Sequence, residues 1–172
     1  GVMFNQIINW FTNVKNKFFR KILEIFTGID KRVILPKYND ETFENYSKKN
    51  KNEINKLAPG FGRKVVIYST CFVNFNKKST GVAALKVLKK NGVDVQHSYA
   101  GCCGMPYLEQ ADPHKVIKQA LKVSNELLKW INKGYQVVTL TASCGLMLKF
   151  EWPLLLPKDN NIKKLSLNVK DI

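Results

Sequence analysis

Cys71, Cys102, Cys103 and Cys144 are the residues of this chain whose type and placement carry chemistry. Each stands where a predicted β-strand gives way to a loop, and two are adjacent in Cys102-Cys103-Gly104. Thiolates hold iron-sulfur clusters and structural zinc, and they act as redox nucleophiles. If the strands lie parallel in one sheet, their C-terminal ends share an edge, and four cysteines far apart in sequence can share one site.

Adjacent cysteines make poor disulfide partners, because a vicinal bridge strains the backbone, but both can ligate one polynuclear centre. Gly101 and Gly104 flank the pair and allow the backbone to approach a bulky inorganic group. Other candidates carry less. A lone His97 at a strand end is more often a satisfied core or surface residue than a ligand, and His114 opens a helix. Asp112 has a capping role, so it forms no catalytic carboxylate pair with Glu109. Thr141 and Ser143 shape the last turn or donate hydrogen bonds to sulfur, and Trp130 and Trp152 are packing residues. No glycine-rich phosphate loop joins a strand to a helix, which argues against a dinucleotide site.

The elements that must position the cysteines begin at Lys64. Val65-Val66-Ile67-Tyr68 is a short buried-strand run ending at Ser69-Thr70-Cys71. A helix capped by Ser79 runs to about Lys90, and Val93–Gln96 forms the next strand. Asp112-Pro113 opens a long helix to about Asn132. Tyr135–Leu140 is the third strand, leading into Thr141-Ala142-Ser143-Cys144, and a last short helix spans Gly145–Trp152 before Pro153. This order predicts an α/β fold of Rossmann-like type, a βαβαβ unit with a parallel sheet. Upstream, apolar residues at helical spacing from Met3 to Phe26, accompanied by Lys15, Lys17, Arg20 and Lys21, predict one basic amphipathic helix closed by Gly28. The expected organisation is therefore a helix over 1–28, a polar, partly helical linker over 29–62, and the cysteine-bearing domain over 63–172.

Composition limits the class. With 45% apolar residues in a 172-residue chain, one domain of ordinary core size is expected. Four cysteines are too few for a disulfide-dense secreted scaffold, and no signal peptide is evident, so a reducing, cytoplasmic setting is favoured. The 28 Lys and Arg against 13 Asp and Glu give a formal net charge of +15. Most of that excess is Lys scattered among Asn, which describes solvated faces, with an acidic lipid surface or partner as the sharper alternative. No RNA-binding aromatic signature or paired zinc finger points to nucleic acid.

Cys71 followed by Cys102-Cys103-Gly104 and then Cys144 resembles the cysteine-rich CCG domain family. That family includes a heterodisulfide reductase component and the iron-sulfur subunits of glycolate, lactate and anaerobic glycerol-3-phosphate oxidation. Cys71-Phe72-Val73-Asn74, Cys102-Cys103-Gly104-Met105-Pro106, Thr27-Gly28-Ile29 and Leu35-Pro36-Lys37-Tyr38 tilt the resemblance toward the iron-sulfur subunit of anaerobic glycerol-3-phosphate dehydrogenase. The resemblance implies an electron-transfer module of a flavin-linked, membrane-associated oxidoreductase. Its cofactor would be an iron-sulfur cluster, of 4Fe-4S type, on Cys71, Cys102, Cys103 and Cys144. Its partners would be a flavoprotein dehydrogenase subunit, a ferredoxin-like module of the same subunit, and quinone or the membrane surface. The expected location is cytoplasmic and peripheral at the inner membrane face.

Thr141 stands where the family's terminal Cys-x-x-Cys has its first cysteine. Four thiolates are thus available where the heterodisulfide reductase type has five, which favours an ordinary cluster or a zinc ion over a five-thiolate double cluster. Relatives carry a ferredoxin module and a second CCG domain, so the chain reads as a segment of a larger subunit. Two further readings stay open: a structural zinc or thiol-only docking domain, and direct thiol redox chemistry at Cys102 and Cys103.

Overall fold

The computed structural model describes residues 4–50 and 54–171. Residues 1–3 of the expected helix, residues 51–53 of the polar segment and Ile172 lie outside the described residues. In chain order the elements are α1 (Asn5–Phe11), α2 (Lys17–Thr27), α3 (Phe43–Lys49), β1 (Lys64–Tyr68), α4 (Cys71–Phe75), α5 (Lys78–Lys90) and β2 (Asp94–Ser98). There follow α6 (Met105–Glu109), α7 (Pro113–Ile131), β3 (Gln136–Thr139), α8 (Ala142–Leu146), a π-helical turn (Met147–Glu151), α9 (Trp152–Leu155), α10 (Asn160–Leu167) and β4 (Val169–Asp171).

The strands form one sheet in the order β2-β1-β3-β4, parallel throughout. The expected Rossmann-like βαβαβ unit is present from β1 to β3. The connection through α4 and α5 carries the chain to β2 on one side of β1, and the connection through α6 and α7 returns it to β3 on the other side. Winding therefore reverses at β1, and in open parallel sheets the crevice for a functional group forms at the strand C-termini where winding reverses.

Alternation along β1 divides the interior into two cores. Val65 and Ile67 pack with Phe43, Val73, Leu85, Val93, Val95 and Val138, under α3, α4 and α5. Val66 and Tyr68 face the larger core of Val116, Val123, Leu127, Val137, Leu148, Trp152, Ile162 and Leu165. β1 is central and covered on both faces, which explains its continuous apolar run. Phe43, within the polar segment expected to be a linker, is fully buried in the first core. Truncating such an aromatic costs about 3–5 kcal/mol, so this stretch is bound to the sheet rather than merely strung across it. Thr42 caps α3 by accepting from the Asn45 N–H, and Asn74 Oδ1 accepts from the Glu44 N–H at 3.0 Å.

Four local expectations are corrected. The single N-terminal helix is two helices, because Thr12 Oγ1 donates to the Ile8 carbonyl at 2.8 Å and Asn13 Oδ1 accepts from the Lys15 N–H at 2.9 Å. Polar side chains of this kind offer the backbone an alternative to the helical ladder. The two helices then close on an aromatic cluster of Trp10, Phe11 and Phe19, with ring centroids 4.5–5.1 Å apart. Ser79 lies inside α5, whose cap position is Lys77 with no side-chain cap. The last predicted helix continues past Pro153 of α9, the helix that follows directly on the π-helical turn Met147–Glu151. Finally, α10 and β4 extend the sheet by a strand that the sequence pattern does not announce. Asp112 caps α7 as expected, accepting from the Lys115 N–H at 3.1 Å.

Candidate metal centre

Each of the three strands β1, β2 and β3 runs into a loop that delivers cysteine to the same edge of the sheet. After β1, Thr70 caps α4 by accepting from the Val73 N–H at 3.3 Å, and Cys71 is the first helical residue. After β2, the Tyr99–Gly101 loop leads to Cys102 and Cys103. Gly104 follows with φ +90, a left-handed conformation that side-chain-bearing residues seldom adopt, and this lets its N–H point back at the Cys102 sulfur, 3.4 Å away. After β3, Thr141 precedes α8, and Cys144 is in the first turn of that helix.

The four predicted site residues come together as a chain of sulfur contacts. Cys103 Sγ lies 3.2 Å from Cys144 Sγ, and Cys102 Sγ accepts from the Cys103 and Cys71 thiols. All four are free thiols. Cys103 and Cys144 are buried, at 2% and 5% exposure, whereas Cys71 and Cys102 are half-buried.

The thiols divide the charge unequally. Hydrogen bonds from the Cys103 and Cys71 thiols, with help from the Gly104 N–H, hold Cys102 far below the ordinary thiol range. The same contact with Cys102 pushes Cys103 and Cys71 up, and burial adds to both. Cys144 is lowered by the Cys103 thiol, with the Ser143 hydroxyl contributing. Backbone N–H groups of Phe72, Gly104 and Met105 face Cys71, Cys102 and Cys103. Thiolate is the ligating form, and such donors favour it.

Other residues support the site. Tyr68 is fully buried, and its hydroxyl donates to the Gly101 carbonyl at 2.7 Å. It packs in the same core cluster as Cys102, Cys103 and Cys144, and burial first, then the neighbouring cysteines, raise its pKa well above the usual phenol value. Tyr99 is pushed up to about 12 by burial and by Cys71 and Cys102. Trp152, expected only to pack, also donates Nε1 to the Cys103 carbonyl at 3.1 Å. Thr141 Oγ1 sits 3.0 Å from Thr70 Oγ1, tying the β1 and β3 loops together. Asp171 accepts from Thr139 Oγ1 at 2.8 Å and from Lys149 Nζ at 3.1 Å, and a Cβ on Gly145 would collide with its carboxylate. Period-two alternation could have marked Tyr68 as facing the α7 side; nothing in the sequence marked Trp152 or Asp171.

His97 lies on the opposite sheet face, edge-on to Phe43, and burial lowers its pKa. It is not among the groups that face the sulfurs. His114 and Glu109 are exposed.

The donor set fits a thiophilic metal: four thiols, two shielded from water, with backbone donors around them. Among the described residues, however, no group of three or more His, Cys, Asp or Glu side chains stands in metal-holding geometry. One sulfur pair is also closer than a zinc ion would hold it. Zn–S bonds of about 2.3 Å in a tetrahedron set the sulfurs roughly 3.8 Å apart, and the Cys103–Cys144 separation is 3.2 Å. A zinc ion held by both would need this pair to open.

Residues 65–149, which contain all four cysteines and the three strands that carry them, match the family model of the cysteine-rich domain CCG. This segment belongs to the CCG family. The CCG chain is 30% identical over 159 residues to a subunit of the anaerobic glycerol-3-phosphate dehydrogenase of Escherichia coli (strain K12), covering 91% of this chain and 39% of that protein. It is 30% identical over 97 residues to lactate utilization protein A of Bacillus pumilus (strain SAFR-032), covering 56% and 39%. It is 26% identical over 106 residues to a subunit of the fumarate reductase (CoM/CoB) of Methanothermobacter marburgensis, covering 60% and 20%. The CCG chain thus spans at most about two fifths of these curated relatives. No solved structure matches it.

Proposed function

We propose that the chain is an iron-sulfur electron-transfer module of an oxidoreductase complex, with Cys71, Cys102, Cys103 and Cys144 as the ligands. The observation that carries this reading is the delivery of four thiols by three loops to one edge of the parallel sheet, with Cys103 Sγ and Cys144 Sγ in contact. A bound cluster, of 4Fe-4S type, would supply one-electron storage. The chain's own residues hold it. Gly104 and Met105 direct N–H groups at sulfur, Tyr68 and Trp152 fasten the Cys102-Cys103 loop from behind, and Cys71 and Cys102 form the half-open side. Backbone donors at sulfur and exclusion of water on the closed side tune reduction potential.

The relatives are named as subunits of a dehydrogenase and a reductase and as a lactate utilization protein. Those names support a partner subunit; in the proposed complex that partner is a flavoprotein electron donor, a ferredoxin-like module lies within the same longer subunit, and quinone is the acceptor at the inner membrane face. Among the described residues, no helix is long and apolar enough to cross a membrane. Contact of this segment with lipid would run through the exposed Phe18, Ile25 and Phe26 of α2.

A second reading is a structural zinc site serving subunit docking. The 3.2 Å sulfur contact favours it, because one zinc ion needs a smaller opening than a polynuclear cluster. Anaerobic reconstitution with iron and sulfide separates the two: bound iron, bound sulfide and an EPR signal on reduction are expected. Equal zinc occupancy in aerobic and anaerobic preparations, with no iron uptake, would establish the zinc reading instead.

A further inference from the structure

A cleft of about 530 Å³ opens between α2 and the loop that follows it, walled by Val14, Lys17, Arg20, Lys21, Lys31 and Arg32. Five of these six are cations. Lys17, Arg20 and Lys21 share one face of α2 through their three- and four-residue spacing. None of the wall residues belongs to the cysteine site.

Arg20 is fully buried. Its Nε donates to the Lys31 carbonyl at 3.3 Å, and its Nη2 donates to the carbonyls of Asp30 and Val33 at 3.0 and 2.8 Å. Its Nη1 has no partner. Among the described residues no carboxylate forms an ion pair with Arg20. A guanidinium shielded from water without a counter-charge is costly, and an anion that meets it recovers that cost.

The carboxylates nearby are already engaged. Asp30 is gripped by Arg32 at 2.7 Å, and Glu24 Oε1 accepts from the Lys31 N–H at 3.1 Å. Five cations against these two acids leave the cleft positive. The N-terminus of α2 adds to the field at the Lys17 end, because Asn16 provides no side-chain cap for the first N–H groups.

We propose that this cleft binds a phosphoryl group, with Arg20 Nη1 as the buried donor and Lys17, Lys21 and Lys31 supplying charge at the mouth. A phosphoryl group offers several acceptor oxygens to a guanidinium edge and carries charge for the ammonium groups around it. The group can come from a phospholipid headgroup or from a small phosphorylated solute. Its binding is independent of what the cysteines hold.

The test is calorimetric titration of the full chain with inorganic phosphate and pyrophosphate against chloride at matched ionic strength. Flotation with phosphatidylcholine vesicles, with and without phosphatidylglycerol, runs beside it. Two variants are compared: Lys17→Ala/Lys21→Ala/Lys31→Ala, which removes the charges at the mouth, and Arg20→Lys, which keeps the charge but removes the Nη1 donor. Saturable binding of phosphate or pyrophosphate is expected, weakened at least about tenfold in both variants, as expected when charge-assisted contacts are lost. Uptake on phosphatidylglycerol vesicles that phosphate competes away assigns the group to lipid. Phosphate binding without vesicle uptake assigns it to a solute. The proposal is overturned if none of these ligands binds saturably, or if the triple-lysine variant binds like the wild type. Should Arg20→Lys fail to fold, the lysine variant decides alone.

Discussion

Cys103 Sγ and Cys144 Sγ, 41 positions apart in sequence, lie 3.2 Å from each other at the C-terminal edge of the sheet. Cys103 is delivered by the loop after β2 and Cys144 by the helix after β3, and β1 separates those two strands in the sheet. The contact therefore spans the central strand. It depends on the loops bending inward over Tyr68.

The first consequence concerns ligation. Cys144→Ser and Cys102→Ser should each lower iron or zinc content after anaerobic reconstitution at least about tenfold, since loss of even an outer-shell partner costs 10–100-fold in metal affinity. Elemental analysis with EPR measures this. Unchanged metal content in Cys102→Ser would remove the adjacent pair from the site.

Tyr68→Phe deletes one hydroxyl and leaves the ring in place. The lost hydrogen bond to the Gly101 carbonyl should cost about 1 kcal/mol, rising to about 3 if that carbonyl is left dry. A urea unfolding midpoint lower than wild type, at unchanged slope, is the expected result.

Thr141→Cys adds a fifth thiol in the loop after β3, three residues before Cys144. The Thr70 hydroxyl loses its partner, so a destabilisation of about 1 kcal/mol is expected. Reconstituted protein should take up more iron per chain than wild type and give an altered EPR spectrum. Identical iron content and spectrum would show that position 141 does not reach the centre.

Gly145→Ala introduces a Cβ whose ideal position is 2.9 Å from Thr139 Oγ1 and in collision with the Asp171 carboxylate. Overpacking of this kind costs about 1–3 kcal/mol. Thermal unfolding should show the loss, and the additional change Asp171→Ala should recover part of it, because the obstacle is then gone.

Tyr135 donates to Asp94 Oδ2 at 2.6 Å, which pushes the phenol up to about 12 from an ordinary value of 10. The folded state thus favours the protonated form. The resulting stability is complete below pH 10 and is lost as pH rises toward 12. Urea titrations of wild type and Tyr135→Phe should therefore converge across that window, with the difference largest at neutral pH.

What could be read from the sequence followed from topology. Strands of buried type separated by helices dictate a parallel sheet, and a parallel sheet dictates which ends of Val65–Tyr68, the strand at Val95 and the strand at Val137 meet. Cys71, Cys102, Cys103 and Cys144 could be grouped on that basis alone. What escaped depends on tertiary contact. β4 has three residues and one buried side chain, Val169, too little for any periodicity to register. The break after Phe11 preserved helical apolar spacing because both helices turn aromatic residues toward one cluster. Trp152 found its polar role only through a carbonyl 49 positions away.

The unequal exposure of the four sulfurs gives the centre a front and a back. Reagents, metal ions and electron carriers arriving from solvent meet Cys71 and Cys102 first, while Cys103 and Cys144 stand behind them against the larger core. A metal ion entering from solvent would therefore reach the rim pair before the inner pair.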